Sequence, residues 1–181
     1  MDVSVSQLDP SRSAHVRLYR SIRLRALDTD PDTFGSTFAR ESEFDDEQWH
    51  ERVAGFAGRP GAIFVARLTA ALQLPATAET AVGVVGIGEA GITGDALIWG
   101  MWVAPTARNR GVSGQLIEAA HAWAVDRSLA TITLWVRRTN EPAIRRYQRS
   151  GYVEIDPAEH GVAEPSGCHD EACLRLALAV E

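Results

Sequence analysis

The sequence predicts an α+β fold, with a mixed, mostly antiparallel sheet of roughly six to seven strands flanked by about four helices. The first observation is that three strand-like runs, separated by helical segments and turn residues, precede residue 96. The second is that residues 96–152 follow the order strand, turn, helix, strand, helix. A parallel pair bridged by a helix is therefore expected after an antiparallel beginning.

The elements outside this central unit follow from hydrophobic spacing. Leu18, Ile22 and Ala26 recur at helical spacing, whereas the strand candidates alternate or are rich in β-branched residues. Helices are predicted over residues 13–27 and 44–53, and strands over residues 3–8, 62–68, 81–88, 153–155 and 171–180.

The central unit begins with the strand Leu97–Val103, which is apolar on both faces as a central strand should be. An amphipathic helix is predicted after the turn 108–114, and the β-branched and aromatic run Thr131–Val136 predicts the next strand. Asn140 and Gly151 are placed to delimit a short final helix.

The turn RNRGVSG carries the clearest binding signal. Two glycines bracket the expected start of a helix, and two arginines precede it. Amides at a helix N-terminus lack intrahelical partners, so a phosphate can accept several hydrogen bonds there, and glycine permits its close approach. An ordinary turn with solvated arginines is the alternative that the turn alone leaves open. The candidate anion-binding residues are Arg108, Asn109, Arg110, Gly111, Val112, Ser113 and Gly114.

Composition narrows the class of protein. The 181 residues, 45% of them hydrophobic, suit one domain over residues 1–181, and no apolar run reaches membrane-spanning length. The polar, acidic N-terminus has no secretory pattern, so a cytoplasmic location is expected, without a membrane partner. Cys168 and Cys173 do not match a metal-ligand spacing and are expected to be plain thiols; no metal site is predicted.

Charge is distributed unevenly. The net charge of −6 argues against a nucleic-acid partner. Residues 108–149 hold eight arginines and three acids, whereas residues 28–51 hold nine acids and one arginine. The distribution suits a basic region for an anionic cofactor and an acidic flank for a cationic partner, while solvated surface charge accounts for most of these residues.

Three motifs together resemble the GNAT superfamily of N-acetyltransferases. Arg108-x-x-Gly111-x-Ser113-Gly114 is similar to its acyl-CoA pyrophosphate signature, with serine in place of the usual glycine or alanine. The spacing of Asn140, Ala143, Tyr147 and Gly151-Tyr152 resembles its Asn-x-x-Ala-x-x-x-Tyr-x-x-x-Gly-Phe/Tyr helix, and Val103-x-Pro105 resembles the end of its fourth strand.

The resemblance implies a three-layer fold whose two central strands splay apart, and an acetyl-CoA-dependent N-acetyltransferase. It implies that the backbone of Met101, Trp102 and Val103 pairs with the pantetheine arm, that the 108–114 turn holds the pyrophosphate, and that Asn140 reaches the arm. Tyr147 matches the family tyrosine that protonates the departing thiolate, although a core tyrosine is the alternative.

No residue of the sequence is an obvious candidate for the general base that accepts the proton of the amine. Some family members carry a glutamate on the fifth strand, but residues 131–140 contain no carboxylate. Glu41 is the first candidate, because burial beside the aromatic 34–38 segment would raise its pKa. Glu43, Glu89, Asp95 and a water chain are the alternatives.

The acceptor is expected to be a small-molecule amine or a peptide N-terminus. A non-catalytic acyl-CoA-binding sensor or structural module is the competing function, since it needs no base. A homodimer is left open.

Overall fold

The computed structural model describes residues 2–56, 58–71, 80–90, 94–156 and 173–180. The strands are β1 Val3–Gln7, β2 Gly55–Phe56, β3 Arg59–Leu68, β4 Ala81–Ala90, β5 Asp95–Val103, β6 Thr131–Arg137, β7 Val153–Glu154 and β8 Cys173–Ala179. They form one sheet in the order β1-β3-β4-β5-β6-β8-β7, and the short β2 pairs with β3 beside this path.

Five α-helices accompany these strands in the described residues. They are α1 Ser13–Thr29, α2 Phe38–Ser42, α3 Asp46–Ala54, α4 Val112–Val125 and α5 Glu141–Arg149. The predicted fold class is confirmed. The sequence patterns missed α2, which is too short to show a period, and α3 begins two residues later than predicted. That start is set by a capping box, in which the Asp45 carboxylate accepts from the Gln48 N–H at 2.8 Å.

The helices lie on both faces of the sheet. A Cβ atom at Gly83 of β4 would meet Leu116 and Val112 of α4, so this position faces α4. Its neighbour Val84 pairs with Trp102, whose indole reaches Asp30 at the end of α1. Because successive strand residues point to opposite faces, α1 and α4 cover opposite sides, which gives the three layers that the resemblance implied.

The core is continuous through these layers. On the α4 side it includes Leu116, Ile117 and Ala120, none more than 1% exposed, and Trp123 follows at 3%. On the α1 side Trp49 is fully buried and packs edge-on against Tyr19 at 5.9 Å between ring centroids. Both faces of β4 are therefore shielded, which explains its almost unbroken apolar sequence.

The structure bears on the predictions made for the cysteines and for membrane-spanning segments. The expectation of a thiol at Cys173 is wrong, because this residue is disulfide-bonded; Cys168 lies outside the described residues. Two cysteines exclude a disulfide framework, but a single bridge depends on spatial proximity that sequence spacing does not reveal. None of the helices in the described segments has the length and apolarity needed to span a bilayer.

Candidate active site

The parallel pair β5–β6 is joined over only part of its length. The register runs from Asp95↔Thr131 to Ile98↔Leu134 and then stops, although β5 continues to Val103. Among the described strands this is the only parallel pairing, with α4 in the crossover. The expected splay is therefore present, and the edge of β5 after Ile98 no longer pairs with β6.

A β-bulge lies where the splay begins. Val84 pairs with Trp102 and Gly86 with Trp99, so Gly100 and Met101 of β5 oppose the single residue Val85 of β4. Gly100 has φ +60°, a left-handed conformation that glycine adopts without steric cost. The bulge redirects β5 away from β6. A glycine inside an apolar strand is the sequence signal that would have indicated it.

The start of α4 has a backbone conformation suited to the predicted anion cradle, whose binding role stays a prediction. Asn109 and Gly111 both have positive φ, at 59° and 81°, and flank Arg110. Left-handed residues alternating with right-handed ones turn successive amides towards one point, and the helix dipole adds positive potential. The Gly111 carbonyl accepts from Gly114 at 2.9 Å, which begins the helix without a side-chain cap. The backbone conformation is therefore compatible with a phosphate at this position.

The individual residues of the cradle contribute differently. The Val112 side chain is 1% exposed and packs in the core, so only its backbone can face a ligand. Ser113 is half-buried, and Gly111 is exposed. No atom lies within 4 Å of a Cβ built at Gly111, so its conformation rather than crowding requires glycine.

Arg108 does not lie in the cradle as a free cation. Its Nη2 atom pairs with the Asp30 carboxylate at 2.5 Å, and its Nε donates to the Val103 carbonyl at 3.0 Å. The Trp102 indole donates to the same Asp30 oxygen at 2.7 Å. Arg108 therefore ties the end of α1 to the end of β5.

A different arginine, Arg146 of α5, reaches the cradle. Its Nη2 atom lies 2.7 Å from the position of a Cβ at Gly114, so the guanidinium lies directly against this glycine. Its Nε atom is buried with no hydrogen-bond partner in the described residues. Sequence reasoning missed Arg146, because no spacing rule links this position of α5 to the start of α4.

Asn140 and Tyr147 are held by α5. The Asn140 side chain caps the helix by accepting from the Ala143 N–H at 3.3 Å. Tyr147 is 8% exposed and packs edge-on against Tyr152 at 5.5 Å between ring centroids. Burial raises the pKa of Tyr147 above its ordinary value, so the phenol keeps its proton at physiological pH. The structure thus places a protonated phenol on α5, the helix that follows β6.

Glu41 is not the elevated carboxylate that was expected. Its burial is complete, and by itself this burial would raise the pKa. Hydrogen bonds and charge from Arg23 outweigh this desolvation, so the pKa of Glu41 is lowered and the expected elevation is wrong. Arg23 binds the carboxylate through two bonds, of 3.0 and 2.8 Å. The role of base stays a prediction, which this pairing disfavours.

The predicted site residues lie on four parts of the fold: the splayed part of β5, the turn that follows it, the helix α5 with its cap, and α2. Met101, Trp102 and Val103 line the splayed part of β5, residues 108–114 follow the end of this strand, and Asn140 and Tyr147 belong to the helix after β6. Glu41 lies in α2 with its partner Arg23 on α1. The described residues contain no group of three or more His, Cys, Asp or Glu side chains placed to bind a metal ion.

Comparison with known proteins identifies the family of the chain. Residues 23–152 match the model of the acetyltransferase (GNAT) family. No curated protein matches the chain.

Several solved structures share the fold over almost the whole chain. A GNAT-family acetyltransferase from Staphylococcus aureus is 13% identical, with a TM-score of 0.67 and coverage of 99% of this chain and 100% of that one. The ribosomal-protein-S18-alanine N-acetyltransferase from Escherichia coli is 14% identical, with a TM-score of 0.60 and coverage of 99% and 95%. The NatC complex bound to Gag peptide and CoA is 16% identical, with a TM-score of 0.65 and coverage of 100% of both chains. Together with the family match, the splayed β5–β6 pair and the cradle before α4 lead to one assignment: the chain belongs to the GNAT family of acetyltransferases.

Proposed function

We propose that this protein transfers the acetyl group of acetyl-CoA to a primary amine by direct attack, with Tyr147 as the general acid. The observation that carries the proposal is the arrangement of an unpaired β5 edge, an anion cradle directly after it, and a protonated phenol on the helix after β6. Its cytoplasmic location and its single-domain organisation stay predictions.

The residues of the candidate site carry the types of chemical group that binding of acetyl-CoA would need. The splayed edge of β5 offers backbone groups for an extended amide-containing arm, and Met101–Val103 would hold it as an added strand holds to a sheet. The amides of residues 109–113, with Arg110 and Arg146, would hold the pyrophosphate. Asn140 uses its carbonyl oxygen as a cap, which leaves its NH₂ group to donate to the arm.

The chemistry asks little of the chain beyond positioning and proton transfer. The bound thioester supplies the acetyl group: the amine nitrogen bonds to the acetyl carbon, the C–S bond breaks, and the thiol leaves with one proton while the amine loses one. A backbone N–H beyond the bulge would stabilise the charge that develops on the carbonyl oxygen. Tyr147 would give its proton to the sulfur and regain one from water, to which the amine proton would pass.

The acceptor class is proposed from the site and the relatives together. The Escherichia coli relative is named as an alanine N-acetyltransferase, and the NatC structure holds a peptide with CoA. A small-molecule amine or a peptide N-terminus is therefore the acceptor we propose. Direct attack needs the neutral amine, because a protonated nitrogen has no lone pair to donate.

The Tyr147→Phe variant tests the role of the phenol. It removes a proton donor and almost no volume, so we expect turnover to fall about 10²-fold while CoA affinity stays unchanged. Tyr152→Phe is the matched control, because this neighbouring phenol binds His121 at 2.9 Å and is not assigned to the reaction. CoA release with a panel of primary amines and calorimetry with CoA are the two measurements.

Two results would contradict the proposal. Unchanged turnover in Tyr147→Phe would show that Tyr147 only packs in the core and does not act as the general acid. CoA binding without CoA release from any amine would favour the non-catalytic acyl-CoA-binding module, for which the absence of a carboxylate on β6 is the specific argument.

A further inference from the structure

The open edge of β5 ends at a carbonyl group that is already bound. The Ala104 N–H donates to the Val82 carbonyl of β4 at 2.9 Å. Because the carbonyl and the N–H of a trans peptide unit point in opposite directions, the Val103 carbonyl of this unit points away from β4. The strand on that side is β6, whose pairing with β5 has stopped at Ile98. In place of a residue of β6, the side chain of Arg108 donates from Nε to the Val103 carbonyl at 3.0 Å.

The same guanidinium is bound from α1. Its Nη2 atom donates to Oδ2 of Asp30 at 2.5 Å, and the Trp102 indole donates to the same oxygen at 2.7 Å. Asp30 is the C-cap residue of α1, and its backbone N–H donates to the Ala26 carbonyl at 3.0 Å. The end of α1 is therefore fixed to two consecutive residues of β5. Asp30, Trp102, Val103 and Arg108 together form the edge cluster.

Arg108 is poorly placed to act as a phosphate ligand. Its positive charge is compensated by the Asp30 carboxylate, whose side chain is only 20% exposed. An anion that bound Nη2 would have to displace this carboxylate, and the two negative charges would then repel each other. Arg146, in contrast, lies directly against Gly114 at the start of α4. The contacts of Arg108 therefore indicate a task other than phosphate binding.

We propose that Arg108 and Asp30 are positioning residues for the extended arm of CoA, and that Arg108 does not bind the pyrophosphate. This inference rests on the proposed acetyl-CoA site and changes the role of the first residue of the signature. Arg108 occupies the last carbonyl of the open edge, so the arm can pair only with the edge groups that precede it. Asp30 and Trp102 hold this end of β5 in one position before CoA binds, which lowers the entropic cost of binding.

The first test separates the arm from the phosphates. ADP carries the pyrophosphate of CoA and lacks the arm. Arg108→Met keeps much of the aliphatic stem and removes both donated hydrogen bonds, so the Kd for CoA should rise about tenfold while the Kd for ADP stays unchanged. Calorimetry measures both ligands, with ADP also followed through its competition with CoA. Arg146→Met is the matched control, and it should lose affinity for CoA and ADP alike.

The second test separates geometry from charge. Arg108→Lys keeps the positive charge, but one ammonium group does not replace a planar group that reaches Val103 and Asp30 with different nitrogen atoms. We therefore expect the lysine variant to bind CoA as weakly as Arg108→Met does. If Arg108 were a phosphate ligand, lysine would restore much of the affinity, because lysine also binds phosphate as a point charge.

The third test is a double-mutant cycle between the two ends of the ion pair. Asp30→Asn keeps an oxygen that accepts hydrogen bonds and removes the charge, so the Kd for CoA should rise about threefold to tenfold. The double variant Asp30→Asn/Arg108→Met should bind CoA no more weakly than Arg108→Met, because both residues act through one contact. Asp32→Asn is the matched control, since it removes the same charge from an exposed residue nearby and should leave the Kd unchanged.

The outcomes separate this inference from the proposed function. Loss of ADP affinity in Arg108→Met, recovery of CoA affinity in Arg108→Lys, or tighter CoA binding by Asp30→Asn would each show that Arg108 acts through its charge on the phosphates, and each overturns the inference. Equal CoA affinity of Arg108→Met and the unmodified protein overturns it as well and leaves the proposed function standing. Failure of the unmodified protein to bind CoA overturns the proposed function, and the inference falls with it.

Discussion

At the scale of single residues, the arginine that lies against the cradle is not the one that the sequence motif indicates. Arg108, which leads the signature, is held by Asp30 and by the Val103 carbonyl, whereas Arg146 from a distant helix lies against Gly114. A motif fixes the backbone of the cradle, because the glycines decide its conformation. The motif does not determine where the long arginine side chains lie, because their hydrogen-bond partners come from other parts of the chain.

Arg146 is therefore expected to contribute to CoA binding. Arg146→Met keeps much of the aliphatic stem and removes the charge, so the Kd for CoA should rise about tenfold. Arg149→Met is the control, since Arg149 lies exposed on the same helix. Calorimetry with CoA measures both. Equal affinities in the two variants would show that Arg146 fills space beside Gly114 without contacting the ligand.

Glu41 shows what burial alone leaves undecided. Its burial was one of two possibilities that the sequence left open, the other being a solvated acid. The direction of its pKa could not be predicted, because it depends on Arg23, 18 residues earlier, donating two hydrogen bonds. Desolvation and pairing have opposite signs for a carboxylate, and only the fold shows which is larger.

At the scale of the elements, the order of strands and helices was predictable and the interruptions within them were not. Hydrophobic spacing predicted β1, α1, β4, β5, α4, β6 and α5 close to their observed bounds. The bulge of β5 depends on how β4 aligns with it, which is a long-range property. The sequence signal for the bulge, Gly100, lies within an otherwise continuous apolar run.

Gly100→Ala tests the bulge as a functional element. Its φ of +60° disfavours any Cβ by about 1–2 kcal/mol, and the added methyl would lie in van der Waals contact with Nη1 of Arg23. Gly94→Ala is the control, because Gly94 has φ +73° and no atom within 4 Å of its Cβ position. Both variants should lose a similar amount of stability, and only Gly100→Ala should lose acceptor kcat/KM.

Chemical denaturation and steady-state kinetics make this comparison. Equal kcat/KM in the two glycine variants would mean that the conformation of the bulge does not affect the reaction of the acceptor.

At the scale of the whole molecule, the fold class was predictable because local patterns and global architecture agree. Alternating strands, a helix between two central strands, and caps at both ends of α5 all lead to the same arrangement. The extent of the splay could not be predicted in this way. It is decided by where the β5–β6 ladder stops, and no local pattern marks Ile98 as its last paired residue.

Stability at alkaline pH is a property of the whole chain that two phenols should control. Burial raises the pKa of Tyr147, and burial together with the nearby Tyr147 raises the pKa of Tyr152. A phenol with a raised pKa in the folded state contributes stability that is complete below its unfolded pKa of about 10 and is lost as the pH rises further. The free energy of unfolding should fall by up to about 1.4 kcal/mol per pH unit for each phenol.

Urea unfolding between pH 9 and 12 measures this slope. The chain contains no lysine, so few other groups titrate in this range. The double variant Tyr147→Phe/Tyr152→Phe should flatten the profile. An unchanged slope in that variant would show that other groups cause the alkaline loss.

The short β5–β6 ladder also divides the molecule along the chain. Strands β1, β3, β4 and β5 come from residues before 104, and β6, β7 and β8 come from residues after 130. The sheet therefore consists of two halves, each contiguous in sequence, and the strands of the two halves are joined by only four residue pairs between β5 and β6. The bulge and Arg23 belong to the first half, whereas Asn140 and Tyr147 belong to the second. Neither half holds the site alone. Turnover therefore depends on how the two halves of the sheet are positioned. A substitution in the β5–β6 ladder can alter turnover although the substituted residue does not contact a substrate.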